Sequence, residues 1–264
     1  MFFLSFCVLA GSLQASEADV VKGVASARAD RAAESIEFQL LSRASEANTN
    51  LYANLESFVC KEQIERFRGK GRRDRAHYLD TISGKLSFEN GLVRYADLRL
   101  KDQPLSTMAT MEGAWSEGEF DTLLKQTEQL LRTQKPVFES WSKVGEVPAG
   151  LYHFDVSEQD SPWDLEVSAR HYTIPFRTEV WIARSSGEIM RIVRTSDDIP
   201  SELHIQEITW GVTLTPVSLN GVEWLLPGSG EYQVVYGSGT RREWNTMTFS
   251  EYQRYGAEVA VRYN

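Results

Sequence analysis

Arg177-Thr-Glu-Val-Trp-Ile-Ala-Arg-Ser-Ser-Gly-Glu-Ile-Met-Arg-Ile-Val-Arg-Thr195 is the stretch from which the fold is most directly read. Phe176, Thr178, Val180 and Ile182 alternate with Arg177, Glu179, Trp181 and Ala183, the period of two that places one set on each face of a strand. Ser185-Ser186-Gly187 then supplies a turn, because Gly187 can take a positive φ, and Ile189 to Thr195 return alongside. The reading is an antiparallel hairpin, central in one sheet and without a catalytic set of its own.

Working outward, the same alternation recurs on both sides. Downstream, Leu203 to Trp210 is extended, and Asn220-Gly221 makes a two-residue hairpin that sets Leu219 opposite Val222 and Val217 opposite Trp224. Glu231 to Tyr236, Glu243 to Ser250 and Ala257 to Tyr263 complete that side. Upstream lie Val137 to Val144, Leu151 to Ser157 and Asp164 to Tyr172. Earlier still come Phe58 to Arg68, His77 to Leu86 and Leu86 to Leu100, the last turning at Asn90-Gly91.

Two segments carry a helical period instead. Between Ser16 and Glu56 there is no proline, and Ile36, Leu40, Ala44, Ala47, Leu51 and Leu55 form one amphipathic stripe. Ser116-Glu-Gly-Glu119 has capping-box spacing, followed by Phe120, Leu123, Leu124, Thr127, Leu130 and Leu131, with Pro136 after the last turn. That stripe is read as core. About eleven strands and two helices point to an α+β fold, a strongly curved antiparallel sheet covered on one face by a long N-terminal helix and a second amphipathic helix. No linker divides residues 36–264, which read as a single domain.

Met1 to Ala10 is an uncharged apolar run and Gly11 to Ser16 a small-residue zone. Residues 1–15 therefore read as a signal peptide, although the basic n-region is missing, and 16–35 as a helical lead-in. The run is about half the roughly 20 residues that a spanning helix needs, so no stable membrane span is expected after cleavage. Cys60 is then the one cysteine left, a core residue rather than a nucleophile, in a domain without an internal disulfide.

The composition is that of a folded protein, 42% hydrophobic and 25% charged, with a net charge of -9. A nucleic-acid partner is not expected against that field. His77, His153, His171 and His204 are scattered without metal-ligand spacing, and neither Gly-Ser-Gly run forms a nucleophile elbow. Asp197-Asp198 before Ile199-Pro200 reads as a bend. No metal, cofactor or catalytic residue is expected, and the seven tryptophans read chiefly as sheet core, with a sugar or lipid pocket as the other use of such residues. One dense basic cluster, Arg66, Arg68, Lys70, Arg72, Arg73 and Arg75, reads either as a solvated hairpin loop or as an anion site for lipid headgroups or an acidic partner.

Phe58-Val-Cys60, Trp115-Ser-Glu-Gly-Glu-Phe120, Val180-Trp-Ile182 with Ser186-Gly187, Ile199-Pro200, Leu225-Leu-Pro227 and Phe249-Ser-Glu-Tyr-Gln-Arg-Tyr255 together resemble an uncharacterised family of exported bacterial proteins common in acidobacteria. More distantly, the order of elements and the Trp-Ile-x-x-x-x-Gly-x-Ile-x-Arg hairpin are similar to the lipoprotein-carrier superfamily that includes LolA and RseB. That resemblance implies an incomplete barrel whose concave face is closed by helices and can hold acyl chains. The expectation is an exported, non-enzymatic protein, periplasmic or associated with the outer envelope, that binds a lipid or lipoprotein acyl group. The alternative is an envelope-protein interaction or sensing module using the basic loop or a sheet edge.

Overall fold

The computed structural model describes residues 36–49, 55, 57–70, 77–89, 92–237 and 241–254. Its contacts divide the chain into residues 1–39 and a second unit, residues 40–264, which carries the sheet and its core. The expected signal peptide and lead-in, and the strand expected at Ala257 to Tyr263, lie outside the described residues.

Strands β1 (Phe58–Gly69), β2 (His77–Glu89), β3 (Leu92–Leu100) and β4 (Gln103–Pro104) form one meander. β5 (Val137–Val144) and β6 (Val147–Val156) begin a second, which β7 (Asp164–Val167) and β8 (Arg170–Thr173) leave as a separate hairpin. β9 (Phe176–Ala183), β10 (Ile189–Ser196), β11 (Ile205–Leu219), β12 (Val222–Tyr236) and β13 (Arg241–Arg254) resume it. β13 then pairs antiparallel with β1, joining the meanders into an 11-stranded sheet ordered β4-β3-β2-β1-β13-β12-β11-β10-β9-β6-β5. Its edges, β4 and β5, leave it unclosed, and register shifts in several ladders supply the irregularities that bend a sheet.

The hairpin at 177–195 is β9–β10, with Phe176, Thr178, Val180 and Ile182 buried as the alternation requires. Its place is interior but not central. The middle of the sheet is β12, because β11–β13 return the chain to β1 and so lie between this hairpin and the first meander. Gly187 has φ 82°, and a Cβ there would lie 2.8 Å from Arg43 Cβ. That close approach lets residues 40–49 of the helix α1 (residues 36–49) lie against the turn, where Arg43 donates to the carbonyls of Ser185 and Arg184.

Three local expectations change. The segment from Asp164 to Tyr172 is a hairpin rather than one strand, reversed by Ser168 (φ 52°) and Ala169 (φ 61°), a pair without the usual glycine or asparagine signal. The second helix opens with a π-helical stretch, Glu119–Lys125, before α2 (Gln126–Thr133). Its N-cap is Gly118 (φ 100°), not Ser116, because Glu119 is taken up elsewhere. The Glu119 Oε1 accepts from Ser116 Oγ at 3.0 Å and from Trp210 Nε1 at 3.1 Å, so the two side chains bond to each other and to the sheet, and Ser116 does not cap the helix. The apolar stripe is core as expected, with Phe120, Leu123, Leu124 and Leu130 buried.

The covered face of the sheet is built from rows of directly opposed residues. Tyr152, Val180, Ile192, Val212, Gly230, Met247, Ile64 and Ile82 form an apolar row from β6 to β2. The neighbouring row, two residues along each strand, is Phe154, Thr178, Arg194, Trp210, Tyr232, Asn245, Arg66 and Asp80. It is buried throughout and contains two arginines.

Candidate functional site

The two arginines of that row differ in their partners. Arg66 Nε and Nη2 donate to the two oxygens of Asp80 at 2.6 and 2.8 Å, and its Nη1 donates to the Glu112 carbonyl at 2.7 Å. Arg194 has no carboxylate partner among the described residues. Its Nη1 donates to Gln126 Oε1 (3.0 Å), its Nη2 to Thr127 Oγ1 (3.1 Å) and to the Leu123 carbonyl (3.3 Å), and the guanidinium lies 4.8 Å from the centre of the Phe176 ring. Burial pulls this guanidinium well below its ordinary value, to about 9.

Near the β1 end, the segment around residues 112–114 is strapped across the sheet. Glu243 Oε2 accepts from the Ala114 N–H, Asn245 Nδ2 donates to the Ala114 carbonyl, and Arg66 holds Glu112. Gly113 (φ 90°) permits the approach, since a Cβ there would lie 3.2 Å from Glu243 Oε2.

The strap leaves an open cleft of about 850 Å³ on the covered face. The sheet supplies Ile208, Trp210, Tyr232, Val234 and Tyr236; the strap and helix supply Trp115, Glu117, Thr122 and Gln126; and the third wall is the β7–β8 hairpin. Trp163 stands at its base, edge-on to Phe176 at 5.5 Å and tilted against Trp210 at 6.1 Å. Ser168 and Ala169, the strained hairpin tip, line the same wall. Its charged members are Glu117, Asp164, Glu166 and Arg241. Arg241 is 3.6 Å from Glu243, and His171 holds Asp164 at 2.6 Å and is itself raised in pKa chiefly by that bond.

No protein-family model and no curated protein matches the chain. Among solved structures, a DUF1329 family protein from Desulfovibrio piger is similar to it at a TM-score of 0.40 and 9% identity, over 84% of this chain and 94% of that one. Likeness at that level carries no argument about fold or chemistry.

The groups that invite catalytic readings lie outside the cleft wall. Cys60 is buried on β1, and burial, reinforced by Glu62, pushes its thiol up to about 12. Burial, then the nearby Glu119 and Glu117, hold the Glu62 carboxyl well above the usual carboxylate range, and the same three acids, after burial, raise Tyr95. Among the described residues no group of three or more His, Cys, Asp or Glu side chains is placed to hold a metal ion, and no helix is long and apolar enough to cross a membrane.

Of the basic cluster, Arg66 lies in the core on Asp80, Arg68 donates to Glu243 at 2.9 Å, and Lys70 follows β1. Arg72, Arg73 and Arg75 lie outside the described residues. The side chains that the structure does bring together, Arg194, Gln126, Trp163 and Trp210, come from four separate segments. One signal was readable. Arg194 shares the parity of Ile192 on a strand whose even positions face the core, so a cation was due on the buried face.

Proposed function

We propose that this chain is an exported, non-enzymatic protein that binds the acyl chain of a lipid or lipoprotein in the cleft between β11–β13, the strap and the β7–β8 hairpin. The observation that carries the reading is the cleft itself, about 850 Å³ with Trp115, Trp163, Trp210, Tyr232 and Tyr236 among its walls. That volume is within the roughly 300–1,000 Å³ usual for small-molecule sites. At about 0.8 kcal/mol per buried methylene, a dodecyl chain offers about 9 kcal/mol gross. Association costs about 4–15 kcal/mol, so binding requires most of that chain to be buried. Export is supported by the apolar run at Met1 to Ala10 and the small residues after it. A binding rather than a catalytic role is supported by Cys60, whose buried, protonated thiol lies away from the cleft wall.

Native mass spectrometry of the protein purified from its own envelope tests this. A co-purifying acyl-bearing mass is expected, and it should be lost in Ile205→Trp, which fills a half-buried cleft position while leaving the thermal midpoint nearly unchanged. A bare protein mass, together with no saturable tryptophan quenching by dodecanoate, dodecylammonium or monolauroylglycerol, would overturn the reading.

A further inference from the structure

Arg194 is wholly buried, and its three acceptors are neutral: an amide oxygen, a hydroxyl and a peptide carbonyl. Its Nε has no hydrogen-bond partner among the described residues. A buried cation is ordinarily answered by a carboxylate, as Arg66 is by Asp80 on the same row. Here the only acceptor that also lines the cleft is Gln126.

That bond decides how Gln126 presents itself. With its oxygen accepting from Arg194 Nη1, the amide is oriented so that its NH2 group is the end left for the half-buried side exposed to the cleft. The α2 end of the cleft is therefore a donor surface backed by an unneutralised positive charge in a low-dielectric layer. The other walls have the opposite sign. Glu117, Asp164 and Glu166 line the strap and hairpin sides, and Arg241 is offset by Glu243.

Resting on the reading of the cleft as an acyl site, we propose that its ligand is an acyl chain bearing a free carboxylate, seated against the Gln126 amide at the α2 end with Arg194 beneath it as the compensating charge. The chain then runs over Trp163 and Trp210. One cation and a planar amide suit a singly charged, two-oxygen head. A phosphate monoester would bring a second charge that nothing at this end answers. The acids of the other walls repel the carboxylate and direct it to α2.

The test titrates the full chain at pH 8 with dodecanoate, dodecylammonium and neutral monolauroylglycerol below their micellar concentrations, reading tryptophan quenching. Dodecanoate is expected to bind about tenfold or more tighter than the other two, the size of one charge-assisted contact. Gln126→Glu sets a protein carboxylate on Arg194, so it should weaken dodecanoate by about tenfold or more relative to monolauroylglycerol. Gln126→Leu, which removes the amide without adding charge, should likewise narrow the preference for dodecanoate over monolauroylglycerol. Equal binding of all three amphiphiles, or an unchanged preference in both variants, overturns the carboxylate proposal while the acyl cleft stands. Failure of all three to bind overturns both.

Discussion

Replacing Arg194 by methionine should leave the protein within about 2 kcal/mol of wild-type stability, whereas Arg66→Met should cost about 3–5 kcal/mol, although both arginines are buried on one row of the sheet. For Arg194, burial holds the guanidinium well below its ordinary value, so keeping the charge in place costs stability. Removing the side chain releases that cost. The Leu123 carbonyl still accepts from the Gln126 N–H, and the half-buried Gln126 side chain can turn to water. Thr127 Oγ1 is the acceptor left without its donor, at about 1–3 kcal/mol, and the smaller volume of methionine takes up part of the remainder. Arg66→Met has no such release, because it strands the Asp80 carboxylate, only 7% exposed, without its two hydrogen bonds. Urea unfolding followed by tryptophan fluorescence separates the cases. At a slope of about 3 kcal/mol/M, Arg66→Met should lower the midpoint by about 1 M or more, and Arg194→Met by much less. Equal losses in the two variants would refute the claim that Arg194 is held without a counter-charge.

Gly187→Ala should destabilise by about 2–3 kcal/mol, since it combines a left-handed backbone (φ 82°) with a 2.8 Å approach to Arg43 Cβ, and the drop in thermal midpoint measures it. Glu62 is held above the ordinary carboxylate range, so the folded state keeps a proton that the unfolded chain releases; stability is full below about pH 4.5 and falls as pH rises toward the folded value. Glu62→Gln should remove that loss and flatten the profile of urea midpoint against pH, and a variant that keeps the wild-type slope would count against the buried neutral acid. In a Cys7→Ser chain, Cys60 should resist Ellman's reagent at pH 8 until the protein is unfolded, its thiol being buried and raised to about 12. Rapid labelling of the native protein would contradict this.

Much of the architecture was legible because its causes are local. Val137–Val144 forms a strand at the bounds that the alternation gives, and Asn220 and Gly221 take φ 53° and 78°, setting Leu219 opposite Val222 and Val217 opposite Trp224. Ser168-Ala169 was missed because its left-handed pair is not dictated by either side chain. The capping box at Ser116 failed for a different reason: Trp210, 91 residues from Glu119, competes successfully for the carboxylate. The candidate site was less legible than the fold, and the basic run at 66–75 shows why. A guanidinium read as a charge in a loop becomes a core ion pair once β2 brings Asp80 opposite Arg66.

The sequence by itself determined which segments are strands and helices, where most of them turn, and which side of each strand is apolar, because the pleat, the helical period and turn stereochemistry act over a few residues. Only the tertiary structure decided that β13 lies beside β1, that the β9–β10 hairpin sits off the centre of the sheet, and that Arg194 has no acid opposite it while Arg66 does. Those outcomes depend on strand neighbours far apart in the chain, whose pairing is set by burying one continuous face, and it is neighbours rather than residue types that determine whether a buried charge is answered.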